Sequence, residues 1–428
     1  MVSLTNLHPA SLLALLCRKE PLTDPQGGGL LRHIPCQERE TTREQRASRM
    51  ALLAALDNGN DALKGAMPHR EQPTLATIRI ITAYTPARVL RAGAGIPTWQ
   101  VHESEPFWIG EDALLTGKGE SLPIGTTQDR LPDPRFQRFL LAGLVELLRT
   151  AGYGAASETD AADYTLYLGF GLPNEEVSRS SVDKPVRETL RQFVAQPFTV
   201  QRTDEEERTA TWQVRLVELH PYAQTFGSFL CWYATPDGIP LSTDIVRHVT
   251  LDLGGGQVHR CEVSIEGGAT GRQQLRMEAA LLDEGTIAIA RALRERIRTQ
   301  YPGVRLFDVE AQQALVQGSI ISGGRRTPIS NLVSEVTHLR SQKLLTHLRH
   351  LLVEEERFLM FTGGGAILLA SSLQTLSGKR RSSQSYLLVP AAYASTLNAL
   401  GGYLLVQTAP RPRLADHAFP PEEGRRAG

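Results

Sequence analysis

The sequence has little of what several common classes of protein require. Its 428 residues carry 46 basic and 46 acidic side chains, so the formal net charge is zero, and no bulk attraction to nucleic acid or an anionic membrane is expected. The four cysteines form no C-x-x-C pair, which argues against a zinc site or a disulfide framework. No apolar run reaches the roughly 18–20 residues that cross a bilayer. We therefore expect free thiols and a cytoplasmic location.

Lysine is also scarce, because only six of the 46 basic residues are lysines. Lys64 is one of them, and it follows a polar, glycine-bearing turn. Hydrophobic residues make up 41% of the chain and charged residues 21%, which is an ordinary globular balance. At about 100–200 residues per domain, the length predicts two or three domains.

The two ends of the chain differ in composition from the rest. Residues 1–50 and 409–428 mix proline, glycine and charge without an apolar period. We expect a disordered or accessory extension at the N-terminus and a disordered tail at the C-terminus. Between them we predict an N-terminal domain over 51–235 and a C-terminal domain over 236–408.

Strands and helices are predicted to alternate between these ends. Alternating or continuous apolar runs predict strands at 52–56, 75–84, 163–173, 209–220 and 385–390, and a pair joined by a glycine turn within 245–265. A buried strand stopped by three glycines is predicted within 357–370. Apolar residues on a 3.6-residue period predict helices at 135–152, 184–195, 281–301, 328–356 and 391–407. The order is strand–turn–strand and then helices, twice. It predicts an α/β protein of two similar halves with a ligand crevice between them.

Three glycine-bearing turns follow apolar runs, at 57–61, 252–257 and 361–366. The first two place an aspartate, Asp57 or Asp252, at the strand end and a glycine two residues later. Glycine lets backbone N–H donors come close to phosphate oxygens, and an aspartate can hold Mg²⁺, usually through water. Each turn alone is typical of an ordinary hairpin or bend. The three together favour a phosphate and metal site, to which Lys64 would add a compact positive charge.

These turns resemble the nucleotide loops of the prokaryotic actin-like ATPases, within the superfamily that also holds sugar kinases and heat-shock chaperone ATPases. "DNGNDALK" (57–64) is similar to the first phosphate loop, "LDLGGGQ" (251–257) to the second and "FTGGGA" (361–366) to the adenosine loop. Shorter matches follow in order, among them "FWIGEDA", "DPRFQRFLLAGL", "GFGLP" and "LNALGGYL". The resemblance covers about residues 51–407, and the most similar subgroup is the plasmid-segregation (ParM-like) proteins and their archaeal relatives.

The resemblance implies a fold and a set of roles. The fold is two ribonuclease-H-like (actin-fold) domains that flank a nucleotide cleft, and the cofactors are ATP and Mg²⁺. Asp57 and Asp252 would bind the metal across the cleft. The nucleotide contacts would come from the loops, at Gly59, Asn60, Lys64, Gly254, Gly255, Gly256, Gln257, Gly363, Gly364 and Gly365. Asp283, Glu284 and Arg291 are candidates for base and ribose contacts.

Hydrolysis requires a group that orients the attacking water. In the family this group follows the strand that ends the first half, which corresponds to "VELHPYAQTFGSF" (217–229). Gln224 fits best, and Glu218 and His220 compete with it. A solvated loop is the structural alternative for all three.

The sequence is compatible with three functions. The first is an actin-like ATPase that self-associates into filaments, with an adaptor protein in DNA segregation or in another cytoskeletal task, and without direct nucleic-acid or membrane contact. The second is a metabolite kinase on the same fold, for which Glu218 is the available acceptor-activating carboxylate. The third is a nucleotide-binding scaffold that does not hydrolyse, because Gln257 stands where the family usually has threonine.

Overall fold

The computed structural model describes residues 51–87, 95–115, 120–123, 125–155, 162–177, 182–234, 246–267, 273–282, 285–348, 357–378 and 386–409. The extension predicted at 1–50 and all but the first residue of the tail predicted at 409–428 lie outside these ranges. Within the described part of the chain, no helix is long and apolar enough to cross a membrane.

The first half is built on a sheet of ten described strands in the order β3-β2-β1-β8-β10-β9-β5-β6-β4-β7. The strands are β1 Leu52–Asn58, β2 Ala62–Pro68, β3 Leu75–Ile81, β4 Ala83–Pro86, β5 Thr98–Val101, β6 Phe107–Ile109, β7 Glu120–Ser121, β8 Ala162–Leu172, β9 Phe198–Thr203 and β10 Thr209–Ala223. β1 to β3 form an antiparallel meander, and β8 and β10 continue the sheet parallel to β1.

The second half repeats this arrangement in a sheet ordered β13-β12-β11-β16-β17. Its strands are β11 Arg247–Leu253, β12 Val258–Gly267, β13 Gln273–Leu282, β16 Arg357–Thr362 and β17 Tyr386–Leu388, and β14 Ser319–Ser322 pairs with β15 Arg325–Pro328 in a separate hairpin. β11 to β13 are antiparallel, and β16 and β17 lie parallel to β11. The two halves therefore share one topology.

Helices cover these sheets and connect the two halves. The first half contains α1 Gly110–Leu115, α2 Thr127–Arg130, α3 Pro134–Thr150, α4 Lys184–Val194 and α5 Gln224–Tyr233. The second contains α6 Thr286–Gln300, α7 Asp308–Gln317, α8 Ser330–His347, α9 Gly364–Gly378, α10 Ala391–Ala394 and α11 Leu397–Thr408. The helix predicted at 135–152 is confirmed as α3, which begins at an Asp133 cap that accepts a hydrogen bond from the Arg135 N–H and has Pro134 in its first turn.

The hydrophobic cores follow the two sheets, with a third cluster between them. α3 buries Phe136, Phe139 and Leu140 in the first core, and α6, α8 and α9 pack in the second. The third cluster joins Ala55 of β1 to Met360 of β16 and to Leu400 of α11. α11, the last helix that the structure describes, is assigned by sequence to the second half but packs on the first sheet.

One predicted helix is wrong in its bounds. The helix predicted at 281–301 begins only at Thr286, because β13 extends to Leu282 in its ladder with β12. The strand predicted within 357–370 and stopped by its three glycines is confirmed as β16, which ends at Thr362, and the apolar residues after Gly363 form α9. Short apolar runs do not distinguish a buried strand from a buried helix. The helix predicted at 328–356 is described as α8 to His347, and residues 349–356 lie outside the described ranges.

Candidate functional site

The first turn is the β1–β2 hairpin, which places a lysine among acids. Asp57, at the end of β1, lies opposite Lys64 of β2 in the register. The Lys64 Nζ lies 3.7 Å from Asp57 Oδ2 and 3.2 Å from Asp61 Oδ1. A Cβ at Gly59 would lie 2.8 Å from the backbone carbonyl oxygen of Ala62, which cannot rotate away, so the hairpin needs glycine here. The rare lysine and the strand-end acid thus belong to one cluster.

The second turn, at 254–257, contacts the first residues of α6, the helix that follows β13. The carbonyls of Gly254 and Gly255 accept hydrogen bonds from the N–H groups of Thr286 and Ile287. A Cβ on Gly255 would come within 2.5 Å of the Asp61 Cβ. The first and second turns therefore approach each other directly from the two halves of the molecule.

The third turn bends sharply at Gly363, whose φ of +86° is in the left-handed region that favours glycine. A Cβ at this position would lie 2.1 Å from Asp252 Oδ1. The backbone N–H of Gly363 donates to the Ala394 carbonyl. Gly364 faces the cleft, whereas Gly365 packs in α9 against Leu253, so its lack of a side chain serves helix packing.

Asp252 ends β11 and faces the first turn from the second half. The Asn398 Nδ2 donates a 2.7 Å hydrogen bond to Asp252 Oδ2, and the Ser228 hydroxyl donates to Asn398 Oδ1. Asn398 comes from α11, 146 residues away in sequence. Asp252 is therefore held in place by α11.

The charges of this cluster shift one another's proton affinities. Burial, with the charges of Asp252 and Asp61, raises the pKa of Asp57 to about 6, and burial also raises the pKa of Asp252. Burial opposes the charged form of Lys64, but Asp61 and Asp57 outweigh it and raise the lysine pKa. Burial likewise acts against the charge on Asp61, yet Lys64 and Arg79 lower the pKa of that carboxyl. Lys64 is thus charged beside the buried side chains of Asp57 and Asp252 and the partly exposed one of Asp61.

The strand ends together line a cleft of about 560 Å³ that opens to solvent. The parallel strands β1, β8, β10, β11 and β16 all end at it, as ligand sites in open α/β sheets generally require. The predicted residues that the structure brings to this cleft are Asp57, Gly59, Asn60, Lys64, Gln224, Asp252, Gly254, Gly255, Gly256, Gln257, Gly363 and Gly364.

Other predicted residues lie elsewhere. Glu218 is opposite Tyr167 within β10, five residues before the strand ends, and its carboxylate lies 3.7 Å from the His220 Nε2. Neither residue lines the cleft. Arg291 pairs with Asp308 at 3.1 Å on the outer side of α6. Asp283 and Glu284 lie outside the described residues.

Sequence reasoning missed several residues that line the cleft, notably Arg130, His259 and Asn398. His259 lies directly opposite Asp252 in the β11–β12 register, and burial lowers its pKa. The pairing of His259 with Asp252 could have been predicted from the two strands expected within 245–265, because the turn between them sets the register. Arg130 and Asn398 had no local signal, because their partners lie far away in sequence.

The donor set of the cleft fits a hydrated divalent cation. Asp57 Oδ1 is buried and has no hydrogen-bond partner in the described structure, and Asp252 brings a second carboxylate. Over the described ranges, no three or more His, Cys, Asp or Glu side chains form a direct metal cluster. Mg²⁺ keeps several of its waters and needs only one or two carboxylates beside phosphate oxygens, so these residues suit it.

Two sheets of the same 3-2-1-4-5 order, with glycine turns meeting in a polar cleft between them, define the actin fold. No protein-family model and no curated protein sequence matches the chain, but solved structures do. The chain is similar to Ta0583, an archaeal actin homologue, with a TM-score of 0.61 and 16% identity over 84% of this chain and 100% of that one.

Two ParM structures show the same similarity. ParM of Bacillus thuringiensis with AMPPNP has a TM-score of 0.57 and 11% identity over 83% of this chain and 98% of that one. A non-polymerisable quadruple mutant of pCBH ParM has a TM-score of 0.60 and 14% identity, again over 83% and 98%. At these identities the likeness concerns the fold, and it confirms the predicted two-domain, actin-like α/β class.

Proposed function

We propose that this protein binds ATP with Mg²⁺ in the cleft, hydrolyses it and assembles into filaments. The observation that carries the proposal is the convergence of three glycine turns, a charged lysine and two facing aspartates at the ends of matching strands. Two similar structures, ParM of Bacillus thuringiensis with AMPPNP and Ta0583 in complex with ADP, support a nucleotide as the ligand. A non-polymerisable mutant among them indicates that pCBH ParM polymerises.

In this proposal each turn contacts a different part of the nucleotide. Backbone N–H groups near Gly59 and at Gly255 and Gly256 bind the phosphates together with Lys64, because N–H donors and a compact cation suit phosphate oxygens. The Gly254 N–H instead donates to the Gln257 carbonyl and shapes the turn. Asp57 and Asp252 hold Mg²⁺, which neutralises phosphate charge. Gly364 leaves room for adenosine, because its Cβ position meets only Asp61 Oδ2, at 3.9 Å, whereas the missing side chain of Gly363 makes room for Asp252.

Gln224 is the proposed water-orienting residue. It begins α5 at the end of β10, its side chain is buried, and its Nε2 has no hydrogen-bond partner among the described residues. We expect Gln224→Ala to lower kcat at least about tenfold, since one positioned hydrogen bond is worth about 1.4 kcal/mol, with ATP affinity unchanged. Single-turnover phosphate release and equilibrium binding measure the two quantities. Equal turnover by the variant and the wild type would refute the assignment.

The function as a whole is tested by ATP-dependent sedimentation run together with phosphate release. We expect pelleting with Mg-ATP and its loss as phosphate is released. A chain that stays monomeric at high concentration with Mg-ATP has no filament function. Tight binding without phosphate release identifies the non-hydrolysing scaffold instead. A role in plasmid or DNA segregation through an adaptor protein, in the cytoplasm, extends the same proposal.

A metabolite kinase has no observation in its favour. The carboxylate that kept this reading open, Glu218, lies within β10 and not at the cleft. Phosphate transfer from ATP to any member of a sugar panel would reinstate it.

A further inference from the structure

Arg130 is a buried arginine that holds the backbone of the first turn. It ends the short helix α2 and is only 1% exposed. Its Nη1 donates to the Asn58 carbonyl and its Nη2 to the Gly59 carbonyl, both at 3.0 Å. The guanidinium also lies 4.3 Å from the centre of the Phe136 ring. The planar fork of an arginine suits two adjacent acceptors in a way that a lysine cannot match.

These two hydrogen bonds orient the N–H groups of the turn. In a trans peptide the C=O and the following N–H point in opposite directions, and the described backbone contains no cis bond. With the carbonyls of Asn58 and Gly59 directed at Arg130, the N–H groups of Gly59 and Asn60 point away from it. Neither N–H donates to any acceptor in the described ranges of the chain. Both are available to an anion.

The helix that carries Arg130 is itself anchored to the turn and to the far side of the cleft. The Gly125 N–H donates to Asn60 Oδ1 at 3.0 Å. The Glu176 carboxylate accepts from the Thr127 N–H at 2.6 Å. Two residues before Glu176, the Asn174 side chain donates to the Arg260 carbonyl of β12 in the second half. The position of Arg130 is therefore set from several directions.

We propose that Arg130 is a positioning residue that presents the Gly59 and Asn60 N–H groups to the phosphates of a bound nucleotide. It acts through two backbone carbonyls and supplies no direct charge to the ligand. The inference rests on the proposed nucleotide binding and adds a residue that the sequence motifs do not include.

The test compares ATP with adenosine in the full chain. We expect Arg130→Met to weaken ATP binding at least about tenfold, which is about 1.4 kcal/mol, while the affinity for adenosine stays unchanged because adenosine carries no phosphate. Arg130→Lys keeps the charge without the fork, and we expect it to lose ATP affinity as well. Arg138→Met on α3 is the control, since among the described residues Arg138 hydrogen-bonds only to the Tyr84 hydroxyl, at 3.4 Å.

Four other outcomes of this experiment would overturn the inference, and they can be told apart. Full recovery of ATP affinity in Arg130→Lys would mean that the residue acts by charge. Equal losses for ATP and adenosine would mean that it only supports the fold, and thermal unfolding of both variants would show the same defect. Variants that bind ATP as well as the wild type overturn the inference alone. A wild-type chain that binds neither ligand overturns the proposed function with it.

Discussion

Replacing Asp57 with asparagine is expected to make the ligand-free protein more stable at pH 7 and to abolish Mg²⁺-dependent ATP binding. The pKa of the Asp57 carboxyl rises from its ordinary 3.8 to about 6, which corresponds to about 3 kcal/mol of free energy. Because the folded protein binds this proton more tightly than the unfolded chain, the associated stability is fully present below pH 3.8 and is lost as the pH rises through about 6. Asparagine is neutral throughout and avoids that loss.

Chemical unfolding at several pH values measures this effect. We expect Asp57→Asn to exceed the wild type by up to about 3 kcal/mol at pH 7 and to match it near pH 3.5. Asp163→Asn is the control, because Asp163 is exposed on β8 and its replacement should change neither stability nor binding. Titration with ATP, with and without Mg²⁺, measures the binding side. A variant with wild-type stability at pH 7 and intact Mg²⁺-dependent binding would contradict both the buried charge and the metal assignment.

Replacing Gly401 with alanine is expected to destabilise the protein by about 3 kcal/mol, near the upper end of what overpacking typically costs. A Cβ at Gly401 of α11 would lie 1.7 Å from the carbonyl oxygen of Gly227 in α5. Backbone atoms cannot rotate away as a side chain can, so the two helices must separate. The roughly 1 kcal/mol that alanine gains over glycine within a helix offsets only part of this cost.

Two glycines serve as graded comparisons for this change. Gly154→Ala should have almost no effect, because no atom of the neighbouring described residues lies within 4 Å of its Cβ position. Gly143→Ala should lie between the two, since its nearest neighbour is the flexible end of the Leu63 side chain. Denaturant midpoints at constant m-value rank the three variants. If Gly401→Ala unfolds at the wild-type midpoint, then the close crossing of α5 and α11 does not exist in solution.

Much of the cleft was predictable because its parts are local. Asp57 and Lys64 are joined by one hairpin, and Asp252 is followed at once by its glycine turn, so a strand end and a turn suffice to mark them. The predicted helix at 135–152 was equally local, with its cap, proline and apolar face in one segment. The boundary between β13 and α6, at 281–286, could not be predicted locally, because the pairing of β13 with β12 decides where the strand ends.

The type of the segment after Gly363 also escaped prediction. "AILLA" is apolar throughout, and a continuous apolar run has no period that separates a strand from a helix. Gly363, with its positive φ, lies between β16 and α9, and Asp252 of another strand occupies the space that a side chain at this position would need.

The sequence by itself determined the elements that short segments encode: the strand-end acids, the glycine turns, most of the helices and, through the order of these motifs, the two-domain class. Only the tertiary structure decided that Arg130 holds the first turn, that Asn398 holds Asp252 and that α11 packs on the first sheet. The physical reason is the range of the interactions. Backbone propensities and turns act over a few residues, whereas these contacts join groups 72 and 146 residues apart and exist only once both sheets have formed.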